Sequence, residues 1–535
     1  MKDLVRHSAQ ILMVTAITLA GALSLRPSMA ATLLVYNHND NGAGSLRQVI
    51  HDASAGDAIT FSNTVTGSIT LLSGELLVNK SLTIAGPGAG ALTVSGNNSN
   101  RVFDIATTTG SQIVALSGLT IANGRIDTNF GTGISLGGGG GIFESLPAGT
   151  LTVSQCILSN NNAAYDAGGI LNANGTLFVD NCALVSNTCF DALTGTVGGA
   201  IDNVATTVVR NCTCVGNSAA YGGGIANEVG GNLALTNCTV ANNSARIQGG
   251  GVFQNGSTIT YWLRNTLVAG NTAPVGPDVH GNFTSGGYNL IGDGTGSSGF
   301  VAVGDQVGST ANPIIPGLGP LQDNGGPTPT MSPLLGSLAI DQGGSGGGAT
   351  DQRGQLRLYD QPGVPNAIGG DGSDIGAVEV GPFLLVQNLA EHGPGSLRQA
   401  TLNAEAGAGT AIAFTAGLTG TITLTSGELL LTSNLSISGP GANRVAVSGN
   451  NAGRVFDIAS GNAIISGLSL VSCGSTDGCV QVSAGSSLTL ASCAVASNAC
   501  AGVFSQGALT VLNSTLAYNT NASFGGGMAL WGGRD

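Results

Sequence analysis

Residues 151–161 read LTVSQCILSNN, and the frame returns as LFVDNCALVSN (177–187), TVVRNCTCVGN (207–217) and LALTNCTVANN (233–243). Leu151 and Val153 alternate as strand residues do, and Cys156 and Leu158 alternate again on the other parity. One extra residue therefore falls at Ser154-Gln155, a bend after which the inward face resumes. Asn161 ends the second short strand.

The columns repeat through YWLRNTLVAGN (261–271). Cys156, Cys182, Cys212, Cys238 and Thr266 form one; Val153, Val179, Val209, Leu235 and Leu263 a second; Leu158, Leu184, Cys214, Val240 and Val268 a third. Asn161, Asn187, Asn217, Asn243 and Asn271 form the fourth, with steps of 26, 30, 26 and 28 residues. A fixed frame with elastic spacing means one coil per repeat, with insertions confined to a turn. Gly168-Gly169-Ile170, Gly199-Ala200-Ile201, Gly223-Gly224-Ile225 and Gly250-Gly251-Val252 keep time with it, Gly suiting a tight corner and the apolar residue opening the next strand. The pattern predicts an all-β fold, a parallel β-helix solenoid, right-handed by the preference for right-handed crossovers.

The cysteine column is expected to be free thiols packed inward as small apolar groups. Cys473 and Cys479, either side of a turn, are the better disulfide candidates. No C-x-x-C spacing suggests zinc, and no metal or cofactor is expected. The asparagine column reads as a structural ladder, its amides bonding coil to coil and its residues tolerating left-handed corners.

Only 8% of residues are charged and 4% aromatic, so the core must be thin and built of small and aliphatic side chains. Lys2 and Arg6 precede an apolar run from Ile11 to Leu23, and Pro27-Ser28-Met29-Ala30 offers a cleavage site, so 1–30 reads as a secretory signal peptide rather than an uncleaved anchor. Losing it would take the net charge from −13 to −15, because Lys2, Arg6, Arg26 and Asp3 go with it. So acidic a chain repels phosphates, and nucleic acid is not an expected partner. No later segment is apolar enough to span a membrane.

Ser45 and Gln48 frame a helix start, with Leu46, Val49 and Ile50 on one face, which predicts a short helix across the open end of the first coil. Arg47 reads as solvated or locally bonded. The same cover returns at Gly395-Ser396-Leu397-Arg398-Gln399, and residues 73–106 match 426–459 at an offset near 353, as Glu75 and Glu428 show. The chain is thus a tandem duplication, expected as a first β-helix with its cap at 31–285, a Gly/Pro-rich closing region at 286–381 and a second β-helix at 382–535. The second copy stops in mid-coil. A partner covering that end and an incomplete gene product both account for this, and the second, a truncated remnant, is the expectation.

GSLRQ with the following coils resembles the start of bacterial right-handed β-helix proteins of the pectin-lyase-like fold, near the CSLREA-type domains, with Gly44 and Gly395 where that motif has Cys. The stretch 312–380, from NPIIPGLGPLQDNGGPTP through DQRG to GSDIGAVE, resembles a choice-of-anchor Q region. Gly198-Gly199-Ala200-Ile201 and the Leu-x-x-Asn ending at Asn187 are similar to repeats of polymorphic outer-membrane proteins. The resemblance implies bacterial export and a surface or extracellular place, and says little about activity.

Cleaving a polysaccharide needs a carboxylate pair, or an acidic calcium cluster with a base. The coil acids are Glu144, Asp166, Asp180, Asp202 and Glu228. Asp180, Asp202 and Arg210 could share a surface groove, although scattered solvated charges are the plainer reading. Asp202, next to inward Ile201, is expected to face out. Gly369-Gly370-Asp371-Gly372-Ser373-Asp374 begins like a calcium nonapeptide but stands alone, with Ile375 one place early. The Gly run 137–141 has no phosphate-loop context. No catalytic or substrate-binding residue is assigned. The reading leans against an enzyme and toward a structural or adhesive surface protein whose Thr-, Ser- and Asn-rich faces contact glycans or other cell-surface components. A polysaccharide lyase or glycoside hydrolase is the alternative.

Overall fold

The computed structural model describes residues 30–535 except 108–109, 128–137, 191–194, 257–260, 335, 362–363, 382, 407–410, 416, 522–524 and 532–535. Nearly all of the proposed signal peptide lies outside the described residues.

The chain is a right-handed parallel β-helix in two copies. In the first, each coil's strands pair in parallel with those of the coils before and after. Thr150 to Ser154 lie beside Thr176 to Asp180, which lie beside Thr206 to Arg210, so Val153, Val179 and Val209 stack in register. Ile157–Ser159, Ala183–Val185 and Thr213–Val215 stack on the next side. Val153, Val179, Val209, Leu235 and Leu263 are all buried. Each removes an apolar side chain from water, a gain of about 1.5–3 kcal/mol per residue.

The bend falls where the alternation breaks. Gln155, Asn181, Asn211, Asn237 and Asn265 all have positive φ, between 47° and 54°. Left-handed geometry therefore belongs to the residue before each inward Cys or Thr. At the next corner it falls on Asn160, Ser186, Gly216, Asn242 and Gly270, one residue before the Asn column. This corrects the sequence reading: the ladder asparagines are not the left-handed residues. Their amides do form the expected ladder. Asn161 Nδ2 donates to Asn187 Oδ1, Asn187 to Asn217, Asn217 to Asn243 and Asn243 to Asn271, each at 2.9 Å. Asp278 Oδ1 accepts from Asn271 and ends the row. Gly199 is required by close approach, since a Cβ there would strike the backbone of Gly223 on the next coil.

Helix α1 (Leu46–Asp52) and helix α2 (Leu397–Glu405) each pack against the first strand of their own copy. Ser45 and Ser396 cap them, each Oγ accepting the N–H three residues on at 3.2 Å. Gln48 does not complete a reciprocal box; it donates to Asp52. Arg47 is locally bonded, to Asp40 and to the carbonyls of Gly74 and Glu75. Cys156, Cys182, Cys212 and Cys238 are buried free thiols, and Cys473 and Cys479 form a disulfide.

The stretch expected to close the coil stack does something else. Coil pairing continues past 285, through Leu290–Ile291 and Gln306–Val307. Residues 314–380 then run back along the side of the first solenoid as a strap. Met331 packs on Val215 and Ala241, and Ile375 on Leu267. These coil residues point outward from the side of Ile157–Ser159 and Thr213–Val215, and the strap removes them from water. Its other flank meets the second copy, where Asn462 donates to the Asp323 carbonyl at 3.1 Å.

Candidate functional site

The coil acids do not converge as a groove of Asp180, Asp202 and Arg210. Asp180 and Arg210 are register partners on neighbouring coils. Burial raises the Asp180 carboxyl and Arg210 opposes this. Asp202 stands on another side of the coil, Ile201–Asn203, and is 1% exposed rather than solvated. It points away from the core, but a small outer layer covers it. That layer includes Asp166, Val197 and Tyr221, which bridge one another coil to coil. Burial, then Asp166 and Glu228, push the Asp202 carboxyl far above its ordinary value. Glu228 is spent on Asn255 at 2.7 Å. Strand alternation shows which way a side chain points, not whether a later segment covers it.

Glu144 points the other way, into the core, and is fully buried. It opens a second amide row that the sequence reading missed. Asn172 Nδ2 donates to Asn203 Oδ1 at 3.0 Å, Asn203 to Asn227, and Asn227 to Gln254 at 3.0 Å. The signal was present: Asn172, Asn203 and Asn227 each follow the inward Ile of the Gly-Ile corner by two.

Two matching charge sites come from the duplication. Arg101 meets Glu75 at 2.9 Å, and Arg454 meets Glu428 at 2.9 Å. Asp104 and Asp457 stand three residues after each Arg, each with one carboxylate oxygen buried and unpartnered. Burial and Glu75 raise Asp104 to about 6, with Arg101 pulling it down. Arg101 also donates to the Gly138 and Gly139 carbonyls and lies 5.0 Å over the Phe143 ring. A cleft of about 370 Å³ beside Glu75 is lined by Arg47, His51 and Lys80. Lys80 donates to the carbonyls of Ile50, His51 and Ala53 at the end of α1. The cations here tie down backbone. In the second copy Ser433 replaces Lys80 and Leu402 replaces His51, so the copies share the structural charges and not the cleft's chemistry.

The strap carries the densest buried charge. Arg357, with no exposure, donates to Gly376 O at 2.7 Å and Asn211 Oδ1 at 3.2 Å, and stands 4.0 Å from Glu379. Asp351 pairs with Arg353 and accepts the Glu379 N–H. Asp374 accepts from Asp341 and Val380, and Glu379 from Asp374. Burial pushes both carboxyls up, with Asp341 adding to the shift of Asp374 and Asp374 to that of Glu379. Gln352 reaches the Cys182 carbonyl and Thr213 Oγ1. The DQRG and GSDIGAVE segments are therefore staples, joining the strap to itself and to the coils. Asp371, in the calcium-like stretch, accepts from Ser345 and Ser373, whose donors hold its carboxyl below its ordinary value against burial. Among the described residues no trio of His, Cys, Asp or Glu is placed to hold a metal ion, and no helix is long and apolar enough to cross a membrane.

No family model matches the chain, and neither does any curated protein. The chain is similar to two solved polysaccharide lyases. One is the PL6-family alginate lyase AlyGC, at 11% identity over 92% of this chain and 80% of that one, with a TM-score of 0.21. The other is the pectate lyase Pel9A, at 14% identity over 66% of this chain and 98% of that one, with a TM-score of 0.29. At these levels the likeness concerns the winding of the chain alone.

The coil side carrying Val153 and Val179 inward presents a different surface outward. Thr152, Phe178, Val208, Ala234 and Trp262 are register partners on successive coils, all half-buried. Thr150, Thr176, Thr206 and Asn232 flank them on one side, and Ser154, Asp180, Arg210, Thr236 and Arg264 on the other. Phe178 and Trp262 are three coil steps apart, about 14 Å at the usual strand spacing. Trp262 lies against Gly286, where a Cβ would enter the indole ring. In a chain so poor in aromatics, this column sets two half-buried rings outward, whereas Phe143 and Phe253, on the outward column of Asp202, are buried.

Proposed function

We propose that this protein is an exported, cell-surface or extracellular β-helix with a structural or adhesive role, and that it contacts a glycan through the face bearing Phe178 and Trp262. The supporting observation is the aligned outward column with polar neighbours on both sides. A pyranose offers an apolar C–H face and a hydroxyl rim, which suit an aromatic surface edged by Thr hydroxyls. One coil step is close to the advance of one sugar in an extended chain, so a glycan lying along the axis meets equivalent positions in turn. The acidic chain favours an uncharged glycan. The buried or bonded coil acids favour binding over cleavage.

Affinity electrophoresis through gels containing a panel of neutral polysaccharides tests this. At least one should retard the protein. Trp262→Ala and Phe178→Ala should each weaken retardation about tenfold, the worth of one well-placed aromatic contact. No retardation by any polymer, or retardation untouched by both substitutions, would sink the proposal. Release of shortened products from the gel polymer would put a polysaccharide-cleaving enzyme in its place.

A further inference from the structure

In the second row Asn203 and Asn227 each donate to the coil after and accept from the coil before. Asn172 Nδ2 donates to Asn203 and also to the Thr206 carbonyl at 2.9 Å, which fixes its orientation and leaves Oδ1 facing the preceding coil. The register partner there is Glu144. Glu144 Oε1 accepts the Leu146 N–H at 2.9 Å. Its Oε2 is buried and unpartnered, and so is Asn172 Oδ1. Two acceptors thus stand at the one place where the row needs a donor.

We propose that Glu144 is held as the neutral carboxylic acid, its Oε2 hydroxyl donating to Asn172 Oδ1, and that loss of this proton makes the start of the row a base-triggered weak point in the first solenoid. The position needs a donor, and of the two states of Glu144 only the neutral acid has one. The first row shows the converse arrangement. It ends on Asp278, which accepts from both Asn271 donors and has no need of a proton.

The electrostatics agree. Burial raises the Glu144 carboxyl to about 8, with the N–H groups of Leu146 and Asn174 pulling the other way. Across the pleat, Ile105 faces it on the coil before and Asn172 on the coil after. Asp104 and Asp202 lie on the same sheet, but one residue out of phase and on its opposite side. Because the folded value lies above the ordinary 4.5, the group's stabilisation is complete below about pH 4.5 and declines until pH has passed about 8.

The test uses the whole chain and its Glu144→Gln variant. Denaturant midpoints are measured from pH 5 to 9, with infrared spectra at pH 6. The parent midpoint should fall across this range with a steeper slope than the variant's, and the variant should be the more stable at pH 9. The parent-minus-variant spectrum should show a protonated-carboxyl band. Equal slopes, no such band, or a variant less stable than the parent at pH 9 would overturn the proposal. A variant that does not fold would do so too, since Gln supplies the same donor in the same shape.

Discussion

Replacing Arg357 with Ala should loosen the strap from the first solenoid and cost about 3–5 kcal/mol of stability. The guanidinium is fully buried and touches both the strap, at Gly376, and the coils, at Asn211. Its removal leaves Asp374 and Glu379 packed together without a cation. Both carboxyls already sit above their ordinary range, Glu379 at about 9, so they escape part of the penalty by keeping protons. The loss should therefore grow as pH rises. Hydrogen exchange resolved by peptide is the measurement. Peptides from 345–380 should exchange faster, as should those carrying Thr213 and Thr239, while the inward columns of 31–120 stay protected. Unchanged exchange in the strap would show that its apolar packing on Val215 and Ala241 suffices alone.

The second large effect belongs to the first amide row. Asn217 is 1% exposed and makes four ladder bonds. Its Oδ1 accepts from the Asn187 N–H and Nδ2, and its Nδ2 donates to Asn243 Oδ1 and the Leu184 carbonyl. Asn217→Ala orphans two donors and a carbonyl in a dry core, and should cost about 3–4 kcal/mol at 1–3 kcal/mol per buried unmatched group, with some relaxation. Asn217→Asp keeps the acceptor, and its neutral form also supplies one donor, so the variant falls between the parent and Ala at low pH and approaches Ala as pH rises and the donor is lost. Equilibrium urea unfolding reads both. A loss under 1 kcal/mol for the Ala variant would mean that the row orders the coils without stabilising them.

The coil frame was legible because its signals are local. Alternation at Leu151 and Val153, its change of parity at Cys156, and the asparagine five residues on are each set by one coil's own geometry. The helical caps were legible for the same reason. What the sequence hid depends on segments far apart in the chain. Val185, Val215 and Ala241 look like ordinary outward residues until residues 318–331 are laid over them. Asp202 reads as solvated until the layer carrying Val197 and Tyr221 covers it. The DQRG and GSDIGAVE segments gave no hint of direction, since closing an end and clasping a side use the same polar staples. The second amide row was readable from its spacing after each Gly-Ile corner, and the outward Phe178 and Trp262 from the coil frame already in hand.

Every functional statement needs successive coils to lie in the stated register, since a slip of one residue would turn Phe178 and Trp262 into the core. Disulfide trapping tests that most directly. Thr150→Cys combined with Thr176→Cys places two thiols on register partners of adjacent coils, within the span a disulfide accepts. Mild oxidation and peptide mass mapping should show the 150–176 bridge in most molecules, and little bridging when Thr150→Cys is combined with Phe178→Cys. Equal or preferential bridging to position 178 would contradict the register, and the proposed glycan face with it.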